Sequence, residues 1–146
     1  MASHNELGKW GECIAAEYLK SKGWYIRHLD WRDKHKDLDI VAIDEDMTTL
    51  LIVEVKTRSS NIWGEPDEAI DLEKKNNILK ATAKYRRLYR LEHLNLRYDS
   101  ISIVGTPDTT HTITHKEDVI SVLDSYLYRE QKRKRAYYKK RPGLWQ

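Results

Sequence analysis

The chain has 146 residues, of which 40% are hydrophobic and 34% charged, with a net charge of +3. These values are typical of one soluble globular domain, and no apolar run approaches the roughly 20 residues that a membrane span needs. The single cysteine, Cys13, excludes intramolecular disulfides and a cysteine-rich zinc site, and the N-terminus has no secretory pattern, so we expect a cytoplasmic protein without a membrane partner.

Hydrophobic periodicity predicts a helix over residues 6–22, followed by Gly23 as its C-cap. The next three apolar segments, residues 24–30, 38–44 and 49–57, are predicted to be strands. The last two flank the turn EDMT and predict a β-hairpin. Trp31, which follows the first strand, is expected to be buried against the first helix.

A second helix is predicted over residues 68–91 from a stripe at helical spacing. The stripe consists of Ile78, Ala81, Thr82, Tyr85, Leu88 and Tyr89. A strand at 96–105, a shorter one at 111–115 and a helix from about residue 117 into the C-terminus complete the chain. This order predicts an α/β fold with a mixed sheet flanked by helices.

Positive charge is concentrated at the C-terminus. Residues 129–141 hold eight Lys or Arg against one Glu, and removing that net +7 from +3 leaves −4 for the rest. We therefore predict one domain over residues 1–128 and a basic extension over 129–146. Such a run is either a solvated end or a nucleic-acid contact, with Tyr137 and Tyr138 available to stack on bases. The basic candidates for that contact are Arg133, Arg135, Lys139 and Lys140.

Residues 50–57, LLIVEVKT, form an apolar strand that ends in opposite charges. Alternation puts Glu54 and Lys56 on one face, and the hairpin would bring Asp39 close to them. Two carboxylates about 4 Å apart repel by roughly 4 kcal/mol at an effective dielectric of 20. A divalent cation would remove that repulsion, and oxygen ligands suit Mg²⁺.

This constellation fits metal-dependent phosphodiester hydrolysis. Asp39, Glu54 and the Val55 carbonyl would bind Mg²⁺ or Mn²⁺, while Lys56 would orient or activate the attacking water. The alternative is a salt-bridged rim of the sheet that binds no metal.

Six blocks of the sequence occur in a recognisable order within roughly residues 6–104. They are LGKWGECIAAEYLKSKGW, DWR, DLDIVA, LIVEVKTR, WGEPDEAIDLEKKNNI and RYDSISI. In this order they resemble the YraN-like uncharacterised family, a branch of the PD-(D/E)xK restriction-endonuclease-like superfamily. The resemblance implies a restriction-endonuclease-like fold and places the family's catalytic Asp, Glu and Lys on Asp39, Glu54 and Lys56.

The resemblance also implies roles for residues outside this triad. The glutamate of the family's first helix falls on Glu12, which by similarity with junction-resolving nucleases would complete the metal site or hold its water. Asp39, Glu54 and Glu12 against Lys56 then leave −2, which matches one divalent ion. The chain departs from the family where Asp37 replaces the usual glutamate.

Several further residues have two interpretations. Arg58 continues the face of Glu54 and either holds a phosphate or forms a surface ion pair. Lys74 or Lys75 corresponds to a lysine of the family's second helix, or simply lies on a solvated helix face. His111 and His115 are expected to be unrelated surface histidines.

The predicted function is a metal-dependent nuclease, with DNA preferred over RNA as substrate by analogy with the superfamily. A non-cleaving nucleic-acid-binding module and a protein-interaction adaptor on a nuclease-like scaffold are the alternatives. Because junction and duplex cleavers often act as dimers, a homodimer is one candidate assembly, although no stretch of the sequence indicates an interface.

Overall fold

The computed structural model describes residues 3–60 and 69–143, which form three helices and five strands. The first helix and all five predicted strands are confirmed within about three residues. The second helix begins at Leu72, whereas its predicted start at residue 68 lies outside the described residues, and the third begins at Val122, about five residues later than predicted. In chain order the elements are α1 (His4–Ser21), β1 (Tyr25–Asp33), β2 (Lys36–Ile43), β3 (Thr49–Arg58), α2 (Leu72–Tyr89), β4 (Asn95–Val104), β5 (Thr112–Lys116) and α3 (Val122–Lys139).

The five strands lie side by side in chain order in one sheet. β3 and β4 are parallel, and the other three neighbouring pairs are antiparallel. A parallel pair needs a long crossover connection, which α2 provides between β3 and β4. The α/β, restriction-endonuclease-like fold is therefore confirmed, as is the β2–β3 hairpin, in which Ile43 lies opposite Leu50.

Local polar contacts fix where the first elements begin and turn. Ser3 and Glu6 form a capping box at the start of α1, with each side chain accepting from the backbone N–H of the other at 3.2 Å. In the β2–β3 turn the Asp44 carboxylate accepts from the backbone N–H groups of Thr48 and Thr49 at 2.7 and 3.0 Å. These contacts satisfy donors that the helix and the ladder leave open.

Each face of the sheet is covered by a different helix, and burial of each large aliphatic side chain contributes about 1.5–3 kcal/mol. The residues buried with α1 are Ala15, Ala16, Leu19, Ile40, Ala42, Leu51, Val53, Ile101 and Ile103. The residues buried with α2 include Leu38, Val41, Ile43, Leu50, Ile52, Ile78, Ala81 and Tyr85.

Two expectations about packing are corrected. Trp31 is buried, but it packs edge-to-face against Tyr85 of α2 at 5.2 Å between ring centroids, and not against α1. The predicted stripe of α2 is buried as far as Tyr85, whereas Leu88 and Tyr89 are 54% and 38% exposed. The last turn of α2 extends past the sheet, so periodicity alone overestimates its buried length.

α3 packs on α2 at the periphery of the domain. Ser125 donates to Asn76 of α2 at 2.7 Å, and Lys75 lies 3.8 Å from Asp124. No described residue of α3 is buried. The predicted boundary between residues 128 and 129 falls inside this continuous helix, and residues 144–146 of the predicted extension lie outside the described residues. Across the described ranges, none of the helices has the length and apolar character needed to traverse a bilayer.

Gly11 lets α1 approach β3 closely. A Cβ atom built on Gly11 would lie 2.8 Å from the Cβ of Thr57, a distance that real Cβ atoms essentially never show. The absence of a side chain at residue 11 therefore sets the separation of α1 from β3, and with it the position of the neighbouring Glu12.

We expect Gly11→Ala to lower the free energy of unfolding by about 1–3 kcal/mol, because the new methyl group forces α1 away from Thr57. Gly8→Ala in the same helix is the matched control. A Cβ at Gly8 meets nothing within 4 Å, so the gain in helix propensity should stabilise that variant by roughly 0.5–1 kcal/mol. Urea denaturation of both variants checks the difference, and equal shifts would contradict the close approach.

Candidate active site

The site is built where β2 and β3 part. Their pairing ends at Ile40 opposite Val53, while β3 continues to pair with β4 as far as Arg58. Asp39 and Glu54 are therefore the first residues beyond the paired hairpin. The Asp39 carboxylate accepts from the Val55 backbone N–H at 2.9 Å, which takes the place of the missing ladder bond.

Asp39 and Glu54 are in direct contact. A hydrogen bond joins their two side chains, and both groups are half-buried. Burial, followed by the Asp39 charge, raises the pKa of Glu54 to about 8. Burial also raises the pKa of Asp39, although the hydrogen bonds from Val55 and Glu54 oppose that rise. Two ionised carboxylates are therefore unfavourable at this position, and the pKa of each group is raised.

Glu12 joins this pair from α1. Burial and the charges of Asp39 and Asp30 raise the pKa of Glu12 to about 7, with Arg32 acting in the opposite direction. Asp30 adopts a left-handed backbone conformation (φ 49°) within β1, and its carboxylate accepts from Arg32 at 3.1 Å. Asp39 of β2 thus interacts both with Glu12 of α1 and with Glu54 of β3.

Lys56 and Arg58 follow Glu54 at alternate positions of β3, so the three share the face of the sheet that α2 covers. Both are half-buried. Val55 points to the opposite face and packs against the α1 cluster. The described contact of Val55 with the site is its backbone N–H to Asp39, so the predicted ligand role of its carbonyl stays a prediction.

Lys74 brings a second ammonium group to the site. Its Nζ lies 3.6 Å from Glu54 Oε1. Burial lowers the pKa of Lys74, but the attraction of Glu54, Asp37 and Asp39 outweighs burial and leaves that pKa raised. Of the two lysines considered from sequence, Lys74 therefore faces the site, whereas Lys75 faces α3.

The four C-terminal basic residues that were predicted to contact nucleic acid are exposed, but they do not form one surface. Because a helix turns every 3.6 residues, Arg135 and Lys139 lie on one face of α3, while Arg133 lies on the other. Lys140 is the C-cap of the helix and continues the face of Arg133. Arg133 is also paired with Glu130 at 2.9 Å.

The face of Arg135 borders a cleft between α3 and the first turn of α2. The α2 residues that line the cleft end at Glu73, and the next residue, Lys74, contacts Glu54. The basic helix α3 and the acidic site therefore both adjoin the first turn of α2. The residues lining the cleft are Asp71, Leu72, Glu73, Tyr128, Gln131, Lys132 and Arg135.

A second polar cluster surrounds Asp99, whose side chain is fully buried. Asp99 forms an ion pair with Arg97 at 2.9 Å and contacts His115 Nε2 at 2.8 Å, and His115 Nδ1 meets the Tyr18 hydroxyl at 3.1 Å. His115 is therefore not the isolated surface histidine that the sequence suggested. The ligand atoms of Asp99, His115 and Glu117 lie within 4.8 Å of one another, which is a spacing that could hold a metal ion.

The guanidinium of Arg97 already supplies positive charge to this second cluster, since it also lies 3.6 Å from Glu117. The cluster therefore fastens β4, β5 and α1 together. Sequence reasoning missed it because Asp99 and His115 are distant in the chain, and only the β4–β5 register brings them together. The available signal in the sequence was the charged Asp99 within the apolar strand RYDSISI, because a buried carboxylate needs polar partners.

Comparison with known proteins identifies the family. Residues 11–103 match the model of the uncharacterised protein family UPF0102. The chain belongs to this family. A UPF0102 protein of Bacteroides thetaiotaomicron is 46% identical over 105 residues, covering 72% of this chain and 84% of that one. UPF0102 relatives from Phocaeicola vulgatus and Porphyromonas gingivalis are 43% and 36% identical, covering 81% and 92% of this chain and 94% and 98% of theirs. The YraN-like resemblance is confirmed.

Two solved structures show weak similarity to this UPF0102 chain. One is the SPO1766 protein of unknown function from Silicibacter pomeroyi, with 11% identity, a TM-score of 0.31, and coverage of 90% of this chain and 92% of that one. The other is SfsA of Pyrococcus furiosus in complex with Ca²⁺, with 13% identity, a TM-score of 0.32, and coverage of 80% and 64%. At these TM-scores neither similarity informs the function.

The raised pKa of Glu54 predicts how stability depends on pH. The folded state keeps a proton to about pH 8 that the unfolded chain loses near the ordinary value of 4.5, so stability declines as pH rises between these values. At about 1.4 kcal/mol per pH unit, we expect a decline on the order of 4 kcal/mol from about pH 5 to pH 8. Glu54→Gln should reduce the decline, because glutamine cannot ionise, and the raised pKa of Glu12 should leave a smaller decline of the same sign.

Urea denaturation at a series of pH values measures this slope. Glu45→Gln, which neutralises an exposed acid at the far end of the hairpin, should keep the slope of the unmodified protein. Identical slopes for Glu54→Gln and Glu45→Gln would contradict the raised pKa of Glu54.

Proposed function

We propose that this UPF0102 protein is a metal-dependent nuclease that hydrolyses phosphodiester bonds in DNA, with branched or otherwise structured DNA as candidate substrates. The observation that carries the proposal is the hydrogen-bonded pair of Asp39 and Glu54, joined by Glu12 from another element, at the open end of a hairpin. Lys74 pairs with Glu54 at 3.6 Å, but burial and the charge of Asp39 still raise the pKa values of both Glu54 and Glu12. A divalent cation would therefore stabilise these acids further.

The chemistry of the donor set fits Mg²⁺ or Mn²⁺. Carboxylate oxygens of Asp39 and Glu54 would hold the ion, with Glu12 either completing the set or holding a water. Counted as ionised groups, these three acids carry −3, and Lys56 together with Lys74 carries +2, so the site keeps net negative charge that would attract a divalent ion. Such an ion, when bound, polarises a phosphoryl oxygen and lowers the pKa of a bound water.

The protein's own residues supply the other functions. Lys56, two residues beyond Glu54 on the same face, would orient the attacking water and stabilise negative charge developing on the phosphoryl oxygens. Arg58, two residues further along, would hold a neighbouring phosphate of the substrate. Glu12, with a pKa of about 7, is suited to accept a proton from water near neutral pH.

The basic helix supports nucleic acid as the substrate class. The face of α3 with Arg135 and Lys139 borders the cleft that leads to the first turn of α2, next to Lys74. Lys132 lies 5.3 Å from the ring centroid of Tyr128 in the same cleft, so a basic group and an aromatic surface lie together there. A non-cleaving nucleic-acid-binding module is the alternative that this helix favours.

The homodimer, one candidate assembly from the sequence, stays a prediction.

We expect Asp39→Asn and Lys56→Ala each to reduce Mg²⁺-dependent cleavage by at least about a hundredfold, because Asp39 would hold the ion and Lys56 would stabilise charge on the reacting phosphate. A panel of duplex, flap and four-way-junction DNA, incubated with Mg²⁺ or Mn²⁺ and separated on denaturing gels, measures the rates.

Asp46→Asn and Lys20→Ala are the matched controls, since both residues are exposed and lie away from the site. These variants should cleave like the unmodified protein. Cleavage that persists in Asp39→Asn and Lys56→Ala would identify a contaminant and reject the nuclease.

Two triple variants of α3 test the contact with nucleic acid. Replacing Lys132, Arg135 and Lys139 with Gln removes the face that borders the cleft. This change should flatten the slope of log K against log salt by about 0.9 for each lost duplex phosphate contact.

Replacing Arg129, Arg133 and Lys140 with Gln removes the same charge from the opposite face and should change the slope less. Fluorescence anisotropy of labelled duplex DNA in Ca²⁺, measured over a series of salt concentrations, gives both slopes. Equal slopes for the two variants would exclude the cleft face as a specific contact.

A further inference from the structure

Two adjacent lysines at the start of α2 have different partners. The Nζ of Lys74 lies 3.6 Å from Oε1 of Glu54, whereas the Nζ of Lys75 lies 3.8 Å from Oδ1 of Asp124 on α3. The side chains of successive helix residues point about 100° apart, so adjacent lysines on α2 can reach partners on different sides of the helix. Lys74 is thus an ammonium group placed directly against the Asp39–Glu54 carboxylate pair.

The backbone of Lys74 is fixed, while its side chain has room to move. The Asp71 side chain, the N-cap of α2, accepts from the Lys74 backbone N–H at 2.8 Å and anchors the first turn. The Lys74 side chain is 41% exposed, compared with 14% for Glu54. A flexible four-carbon stem rooted at a fixed helix start can therefore turn from Glu54 towards solvent without unwinding α2.

Lys74 and a divalent ion would compete for the same carboxylate. An ammonium at 3.6 Å from Oε1 already partly neutralises Glu54, and it would be repelled by a doubly charged ion held by Glu54 and Asp39. Asp37, whose charge also acts on Lys74, Asp39 and Glu54, does not remove this conflict, because it attracts both cations.

We propose that Lys74 is a built-in counter-ion, which neutralises Glu54 in the metal-free protein and is released towards the substrate phosphate when a divalent ion binds. This role rests on the proposed function and extends it, because it makes the same lysine hold the acidic site together before metal enters and bind the nucleic-acid backbone afterwards. Lys74 is a positioning residue in the first state and a phosphate ligand in the second.

Metal affinity measured without nucleic acid tests the first half of this role. In calorimetric titrations with Mn²⁺ at one fixed pH, Lys74→Gln should bind the ion about tenfold more tightly than the unmodified protein, because the competing charge is gone. Lys75→Gln, which removes the same charge one residue away, should stay within about twofold. Equal affinities for the two variants would overturn the counter-ion role while leaving the nuclease standing. Failure of every variant to bind Mn²⁺ would reject the proposed metal site together with this inference.

Chemical labelling of the unmodified protein tests the release of Lys74 directly, without depending on how a variant folds. An acetylating reagent followed by peptide mass spectrometry reports the reactivity of each lysine amine. Saturating Mn²⁺ should raise the labelling rate of Lys74 severalfold and leave that of Lys75 unchanged, since Asp124 remains its partner. An unchanged or lower rate at Lys74 in saturating Mn²⁺ would overturn the release.

Discussion

The contact between Asp39 and Glu54 constrains the rest of the site. Two half-buried carboxylates lie together because β2 leaves β3 after Ile40 while β3 continues along β4. The adjoining hairpin and the hydrogen bond from the Val55 N–H to Asp39 hold the two carboxylates close together. The charge conflict must instead be resolved locally, by a shared proton, by Lys74 or by a cation from solution. Every other polar group of the site is arranged around that conflict.

The scaffold meets this constraint with unequal rigidity. α1 packs closely on β3 because Gly11 has no side chain, and this close packing places Glu12 near Asp39 and Glu54. The Asp99 cluster ties β4 and β5 to α1 and leaves the sheet firm beneath the site. Lys74, in contrast, reaches the pair by a flexible side chain that is partly exposed. The acids are thus the fixed part of the site and the ammonium its adjustable part.

Much of this arrangement is visible in the sequence. The period-two pattern around Asp39 and Glu54 and the short EDMT turn predict the hairpin, and the hairpin predicts that the two acids meet. Other features depend on information that periodicity does not carry. The partner of Trp31 depends on which helix covers each face of the sheet, and that is decided by the crossover through α2. The different partners of Lys74 and Lys75 depend on where α2 begins and on the docking of α3, neither of which a charge pattern specifies.

The first turn of α2 has a structural consequence. In that turn Lys74 forms an ion pair with Glu54, and the next residue, Lys75, forms one with Asp124 of α3. The Asp71 side chain caps the same turn. The outer helix and the inner carboxylates are therefore attached to the same helix turn, at positions one residue apart. A ligand that binds α3 beside Asp124 would bind within one helix turn of the residue that contacts Glu54.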